Sequence, residues 1–164
     1  EFEKILAKRK LKPGLIGYLS NRYLEKRRRF FRVRFTQLLE ANLTILELKG
    51  RKINVGNTRV LIRDMGPGGL CFISNIKFPV EKDLILQFTT NLLDRETKVY
   101  GYPVWTEEVN NNLHQYGVEF TIDENERADL VRDLNQVQIK MRKNQLFAEG
   151  SFISGTYVQY FSNL

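Results

Sequence analysis

The period of the sequence changes at Phe35 and again at Ile122, and these two changes restrict the fold more than any other feature. From Phe35 onward the chain is rich in β-branched and aromatic residues. They alternate in part with polar ones and are cut at short intervals by turn residues, the mark of short antiparallel strands. Phe35–Leu48 is the first such run. Lys49-Gly50 and Gly56-Asn57 set turns around a short second strand. Thr58–Asp64 alternates well and leads into Met65-Gly66-Pro67-Gly68-Gly69, a tight turn, with Leu70–Ser74 as the return strand. After a polar break over Lys77–Lys82 come Leu84–Thr89, Thr97–Val109 and Gln115–Thr121, the last two flanking an Asn110–Asn112 hairpin loop. Pro103 has no N–H to give a ladder, so it predicts an edge or a bulge. Beyond Ile122 the spacing becomes helical. Asp123 with Glu126 forms a capping-box pattern, and Leu130, Leu134, Val137 and Met141 recur on one face as far as Lys143.

The expected fold class is therefore mainly β: about six short antiparallel strands followed by a C-terminal helix. Closure of the strands into a barrel would remove the exposed edges that invite aggregation. Upstream, Phe2, Ile5 and Leu6 predict a short helix that Pro13-Gly14 ends. Residues 15–26 fit a second short helix or an extended arm. Downstream, residues 144–164 hold Phe147, Phe152, Ile153, Tyr157, Val158, Tyr160 and Phe161. That is too apolar for a free tail, so this piece is expected to dock on the same domain, on a second copy in a homodimer, or on a further part of a longer protein. The expected organisation is an N-terminal helical or linker segment over 1–25 joined to an upstream region, a β domain with its helix over 26–143, and an aromatic extension over 144–164. A chain of 164 residues suffices for one core.

Charge is concentrated at one end. Residues 1–34 hold twelve lysines and arginines against three glutamates, a net +9, while the whole chain is +7; the remaining 130 residues therefore sum to −2. The densest part is Lys26-Arg27-Arg28-Arg29-Phe30-Phe31-Arg32-Val33-Arg34. Unpaired guanidinium groups cannot be buried at tolerable cost, so this stretch faces water or an anion. A solvated basic linker is the plainest reading, but Phe30-Phe31 and the strand that follows at once favour a hinge that presents arginines to an anionic ligand. One cysteine, Cys71, rules out an internal disulfide framework and fits a reducing cytoplasm. The longest early apolar run, Leu15–Leu19, is far short of the ~20 residues of a membrane helix.

Two short motifs then acquire meaning together. Arg28-x-x-x-Arg32 stands before the first strand, and Asp64-x-Gly66-x-x-Gly69 stands in the first major hairpin. The pair resembles the signatures of the PilZ domain, Arg-x-x-x-Arg and Asp/Asn-x-Ser-x-x-Gly. Tyr116-Gly117-Val118-Glu119-Phe120 ahead of a charged helix resembles that family's closing strand. The resemblance spans about residues 26–143. It implies a six-stranded antiparallel β-barrel that binds cyclic di-GMP, a bacterial second messenger, with Arg28, Arg32, Asp64, Gly66 and Gly69 as ligand-binding residues and Arg27 and Arg29 as reserve contacts. Gly66 departs from the family's Ser and forgoes its hydroxyl contact.

These residue types suit such a ligand. Arginine bonds phosphate oxygens through its fork, matches the O6/N7 edge of guanine and stacks on base faces. Asp64 can accept from the N1 and N2 donors of guanine. Gly66 and Gly69 would allow positive φ and close backbone approach. Plainer roles stand beside these. Asp64 could cap its own turn, and Arg28 and Arg32 could pair with surface carboxylates such as Glu107 or Glu108. Trp105 reads first as core and second, with Tyr102, as a pocket wall. His114 reads as exposed, and Cys71 as a buried small hydrophobe.

Catalysis finds no support: one His, one Cys and no nucleophile–base pair. Gly66-Pro67-Gly68-Gly69 lacks the Lys-Ser/Thr of a phosphate-binding P-loop. No cofactor or metal set is implied. The expected protein is a non-enzymatic, cytoplasmic cyclic di-GMP receptor domain, signalling to a protein partner or fused domain. The alternatives are a nucleic-acid-binding barrel with a basic arm and a ligand-independent protein-interaction module.

Overall fold

The computed structural model describes residues 31–52, 56–110, 112–143 and 150–164. The short helix expected over residues 2–12 and the second helix or extended arm expected over 15–26 lie outside the described residues. Residues 32–164 form one compact unit. In the described residues no helix is long and apolar enough to cross a membrane.

Seven strands and two helices follow in order: β1 (Val33–Leu48), β2 (Arg51–Lys52), β3 (Asn57–Gly66), β4 (Gly69–Ser74), β5 (Leu84–Leu92), β6 (Arg95–Asn110), β7 (Leu113–Phe120), α1 (Glu124–Arg142) and α2 (Tyr157–Ser162). All pairings are antiparallel. The sheet order is β2-β1-β3-β4-β7-β6-β5, and β1 pairs with β5 as well. Six strands thus close into a barrel-like ring, and β2 is a two-residue ribbon beside β1 rather than a stave. The expected six-strand plan holds for the ring.

β1 is the strand that closes it. Residues 33–44 pair with β3 and residues 42–48 with β5. Alternate residues fill the interior: Leu39, Leu43, Val60, Ile62, Met65, Leu70, Phe72, Phe88, Tyr116 and Val118 are all at most 1% exposed. Phe72 is the hub, stacked on Tyr116 (centroids 5.0 Å apart) and edge-on to Phe88 (5.1 Å). The Tyr116 hydroxyl accepts from the backbone N–H of Phe78 at 2.7 Å, so its polar end is satisfied in the core.

The helix begins as the residues require. Asp123 accepts from the N–H of Glu126 at 2.8 Å, while the Glu126 side chain accepts from the N–H of Asp123 at 3.4 Å. Leu130, Leu134 and Val137 seat α1 on the core. Its first turn also reaches a hairpin: Arg127 Nε donates to the Pro67 carbonyl at 3.2 Å.

The aromatic extension docks on this same unit. Between Arg34 and Leu39 the β1–β3 register shifts, and β5 joins β1 only from Asn42. Residues 151–153 occupy the edge left open. Glu40 N–H donates to the Ser151 carbonyl and Ile153 N–H to the Leu38 carbonyl, each at 2.8 Å, and Ser151 N–H donates to the Asn91 carbonyl at 3.0 Å. The Phe152 ring meets Phe35 edge-on at 5.4 Å. This added bridge covers backbone groups that would otherwise be a free sheet edge. Gly150, at φ +83, allows the entry; a Cβ there would lie 2.6 Å from the Asn91 carbonyl oxygen.

Candidate ligand-binding site

Side chains of paired strands share a face, and one row of pairs crosses the outer surface: Arg34, Asp64, Cys71, Gly117 and Trp105, on β1, β3, β4, β7 and β6. Next to it runs a second row of Gly66, Gly69, Glu119 and Tyr102. Two of the predicted site residues meet here. Arg32 Nη1 donates to Asp64 Oδ1 at 2.5 Å, with both side chains partly exposed. Gly69 lies beneath them: a Cβ at this position would stand 3.3 Å from Arg32 Nη2 and 2.0 Å from the Val118 carbonyl oxygen.

The turn that carries the glycines is held at both ends. The Pro67 carbonyl accepts from Arg127 and the Gly68 carbonyl accepts from the N–H of Phe120 at 2.9 Å. One expectation is corrected here. Neither Gly66 nor Gly69 is among the glycines of positive φ, which among the described residues are Gly50, Gly56, Gly150 and Gly155. Glycine is needed at 69 for close approach of strand and guanidinium, because Pro67 at the head of the two-residue turn already sets its direction.

Asp64 faces outward because of a bulge. Ile62 pairs with Phe72 in the interior, and simple alternation would turn Asp64 inward as well. The register instead shifts between Ile62 and Asp64, so that Asp64 pairs with Cys71 on the outer face. The bulged residue, Arg63, donates to Gln115 Oε1, and Gln115 Nε2 donates to Glu107 Oε1 at 3.1 Å. The Arg63 guanidinium also sits 5.4 Å from the centre of the Tyr157 ring of α2. One turn along α2, the Tyr160 hydroxyl donates to Glu40 Oε2 at 2.5 Å. Burial and that hydrogen bond raise the Tyr160 pKa above the ordinary phenol value.

Glu107 is engaged with Gln115, and the partner of Arg32 is Asp64 rather than Glu107 or Glu108. Trp105 is half-buried on the outer face, not core, while Tyr102 bonds Glu119 and has its pKa raised, chiefly by burial. His114 is half-buried rather than exposed. Cys71 is 3% exposed, yet it stands on the outer face and outside the main core. Burial first, and the Asp64 carboxylate second, push its thiol up to about 12, so it stays protonated and unreactive at neutral pH. Arg27, Arg28 and Arg29 lie outside the described residues. The described residues contain no cluster of three or more His, Cys, Asp or Glu suited to a metal ion. Sequence reasoning passed over Gly117 in this context, although a lone glycine inside an alternating strand signals close approach.

Comparisons with known proteins agree with this architecture. The family model for the PilZ domain matches residues 26–136. The PilZ domain of Escherichia coli YcgR, solved with c-di-GMP, superposes with a TM-score of 0.53 at 13% identity, covering 72% of this chain and 96% of that one. The Bacillus subtilis inhibitor of motility MotI/DgrA gives 0.53 at 11% identity, covering 70% and 52%. K. pneumonia MrkH in its apo state gives 0.54 at 12% identity, covering 70% and 53%. The matched region thus accounts for about half the length of MotI and of MrkH. A search of curated protein sequences returns no match. With a family model that covers most of its length, this chain belongs to the PilZ domain family.

Proposed function

We propose that this chain is a non-catalytic receptor domain for cyclic di-GMP, working in the cytoplasm. The observation that carries the reading is the 2.5 Å contact of Arg32 with Asp64, which joins the two motif segments on one outer face. Membership in the family, and the c-di-GMP complex of YcgR, lend it further support. In this reading the Arg32 fork bonds a phosphate, with Arg28 as second clamp and Arg27 and Arg29 behind it. Asp64 accepts from guanine N1 and N2. The Arg32–Asp64 pair is partly exposed and so is worth about 1 kcal/mol or less. A ligand that offers a phosphate to one partner and guanine donors to the other can therefore reorganise it at small expense. Gly66 and Gly69 keep the floor low enough for such an approach, and Gly66 forgoes the hydroxyl that Ser supplies in the family pattern.

Signal output is part of the proposal. Binding orders the Lys26–Arg32 arm and changes its arrangement with a fused or partner domain. Calorimetric titration with cyclic di-GMP tests the core of it. Saturable binding is expected for the wild-type chain, with a loss of about tenfold or more for Arg28→Ala and for Arg32→Ala. Absence of binding heat in the wild type would end the reading. A nucleic-acid role would instead show affinity that falls steeply with salt and follows the whole basic run.

A further inference from the structure

We propose that Trp105 is a base-stacking platform of the ligand site, held there by a strand bulge and by the bare backbone of Gly117. The inference rests on the cyclic dinucleotide reading and goes beyond the motif residues. Its first support is parity. Pro103 is buried and pairs with Val118, which is 1% exposed in the core. Without interruption, Trp105 would face inward as Pro103 does. The register shifts between Pro103 and Trp105, so that the indole stands on the outer face opposite Gly117. Asp64 is turned outward by the same device on β3. Two bulges thus place Asp64 and Trp105 in one row, separated by Cys71 and Gly117. Three strand spacings make that separation about 14 Å. Bulges that re-aim side chains cluster beside functional sites.

The second support is Gly117. A Cβ there would lie 1.9 Å from Trp105 Nε1 and 2.3 Å from Cε2, so the indole rests directly on the glycine backbone. Any other residue would lift it. One indole face is thus backed by the sheet, and Trp105 remains half-buried rather than enclosed. Among the described residues, no second ring or guanidinium stacks on it in the way that Arg63 stacks on Tyr157. A flat, rigid, backed aromatic surface in the same row as a guanine-acceptor carboxylate suits a purine face, which stacks regardless of its edge groups. In this arrangement Asp64 reads the edge of one guanine of the ligand and Trp105 receives the face of the other.

Trp105 is the sole tryptophan of the chain, so its emission reports on this position alone. The full chain is titrated with cyclic di-GMP, followed in parallel by calorimetry and by tryptophan emission. A stacked base should quench the emission with the same midpoint as the binding heat. Trp105→Ala should weaken binding about tenfold or more, and Trp105→Phe should restore most of it. Gly117→Ala should reduce both the quench and the affinity. If Trp105 merely covers Gly117, heat will be measured while the emission stays flat, and Trp105→Phe will have no advantage over Trp105→Ala at equal thermal stability; either result overturns the proposal while the receptor reading stands. Absence of heat in the wild type removes both. Should Trp105→Ala fail to fold, the wild-type quench and the Trp105→Phe affinity still decide the matter.

Discussion

The two faces of strands β3, β4, β7 and β6 make the instructive contrast. Inward, Met65, Leu70, Phe72, Tyr116 and Val118 interlock with at most 1% exposure. Outward, the intervening positions carry Asp64, Gly69, Cys71, Gly117 and Glu119, a set with three small residues and two acids. The inner face is specified by volume, and almost any change there opens a cavity or forces strain. The outer face is specified by absence of volume and by charge. It contributes little to stability and is placed accurately only because the inner face cannot move. A receptor surface with weak bonds of its own can in this way be both precise and easily opened.

That contrast can be broken first at Phe72. Phe72→Ala removes the ring that touches Tyr116, Phe88 and Phe78, and it should destabilise the domain by about 3–5 kcal/mol in denaturant titrations. A loss below about 1 kcal/mol would mean that the inner face is not what holds the site. On the outer face, Arg32→Ala should do the reverse. Affinity for cyclic di-GMP should fall by about 10- to 100-fold, from loss of charge-assisted bonds. The unfolding midpoint should change by no more than about 1 kcal/mol, because the pair with Asp64 is partly exposed. Gly69→Ala sharpens the comparison, since it adds a methyl to the outer face and drives it to 2.0 Å from the Val118 carbonyl oxygen. It should destabilise by about 1–3 kcal/mol and also disturb the neighbouring Arg32; a neutral result would refute the close approach.

The smallest effect belongs to the docked C-terminal segment. Tyr160→Phe removes the bond to Glu40 and should lower stability by about 1 kcal/mol or less. Its pH dependence carries a sign. The folded state raises the Tyr160 pKa, so the neutral phenol is the stabilised form. The wild-type advantage should be intact below the ordinary tyrosine value near 10 and should shrink as pH rises beyond it. Cys71, which also titrates late, is common to both proteins and cancels in the difference. Equal denaturation midpoints for wild type and Tyr160→Phe at neutral pH would show that the hydrogen bond contributes nothing.

Much of this molecule was legible along the chain. Turns at Lys49-Gly50 and Gly66–Gly69, the capping box of Asp123 and Glu126, and the helical stripe of Leu130, Leu134 and Val137 all depend on residues close in sequence, where φ/ψ preference and local hydrogen bonds act directly. The pairing of Arg32 with Asp64 was foreseen only through motif resemblance, and Pro103 did announce its bulge. Tertiary structure decided how these signals were used. The bulges at Arg63 and Val104 determine which face Asp64 and Trp105 occupy. The doubled pairing of β1 closes the ring, and residues 151–153 complete the seam beside it. Period and turn signals are properties of one strand read alone. Facing, register and closure are properties of strands taken in pairs, and a single inserted residue reverses a side chain without altering the composition that surrounds it.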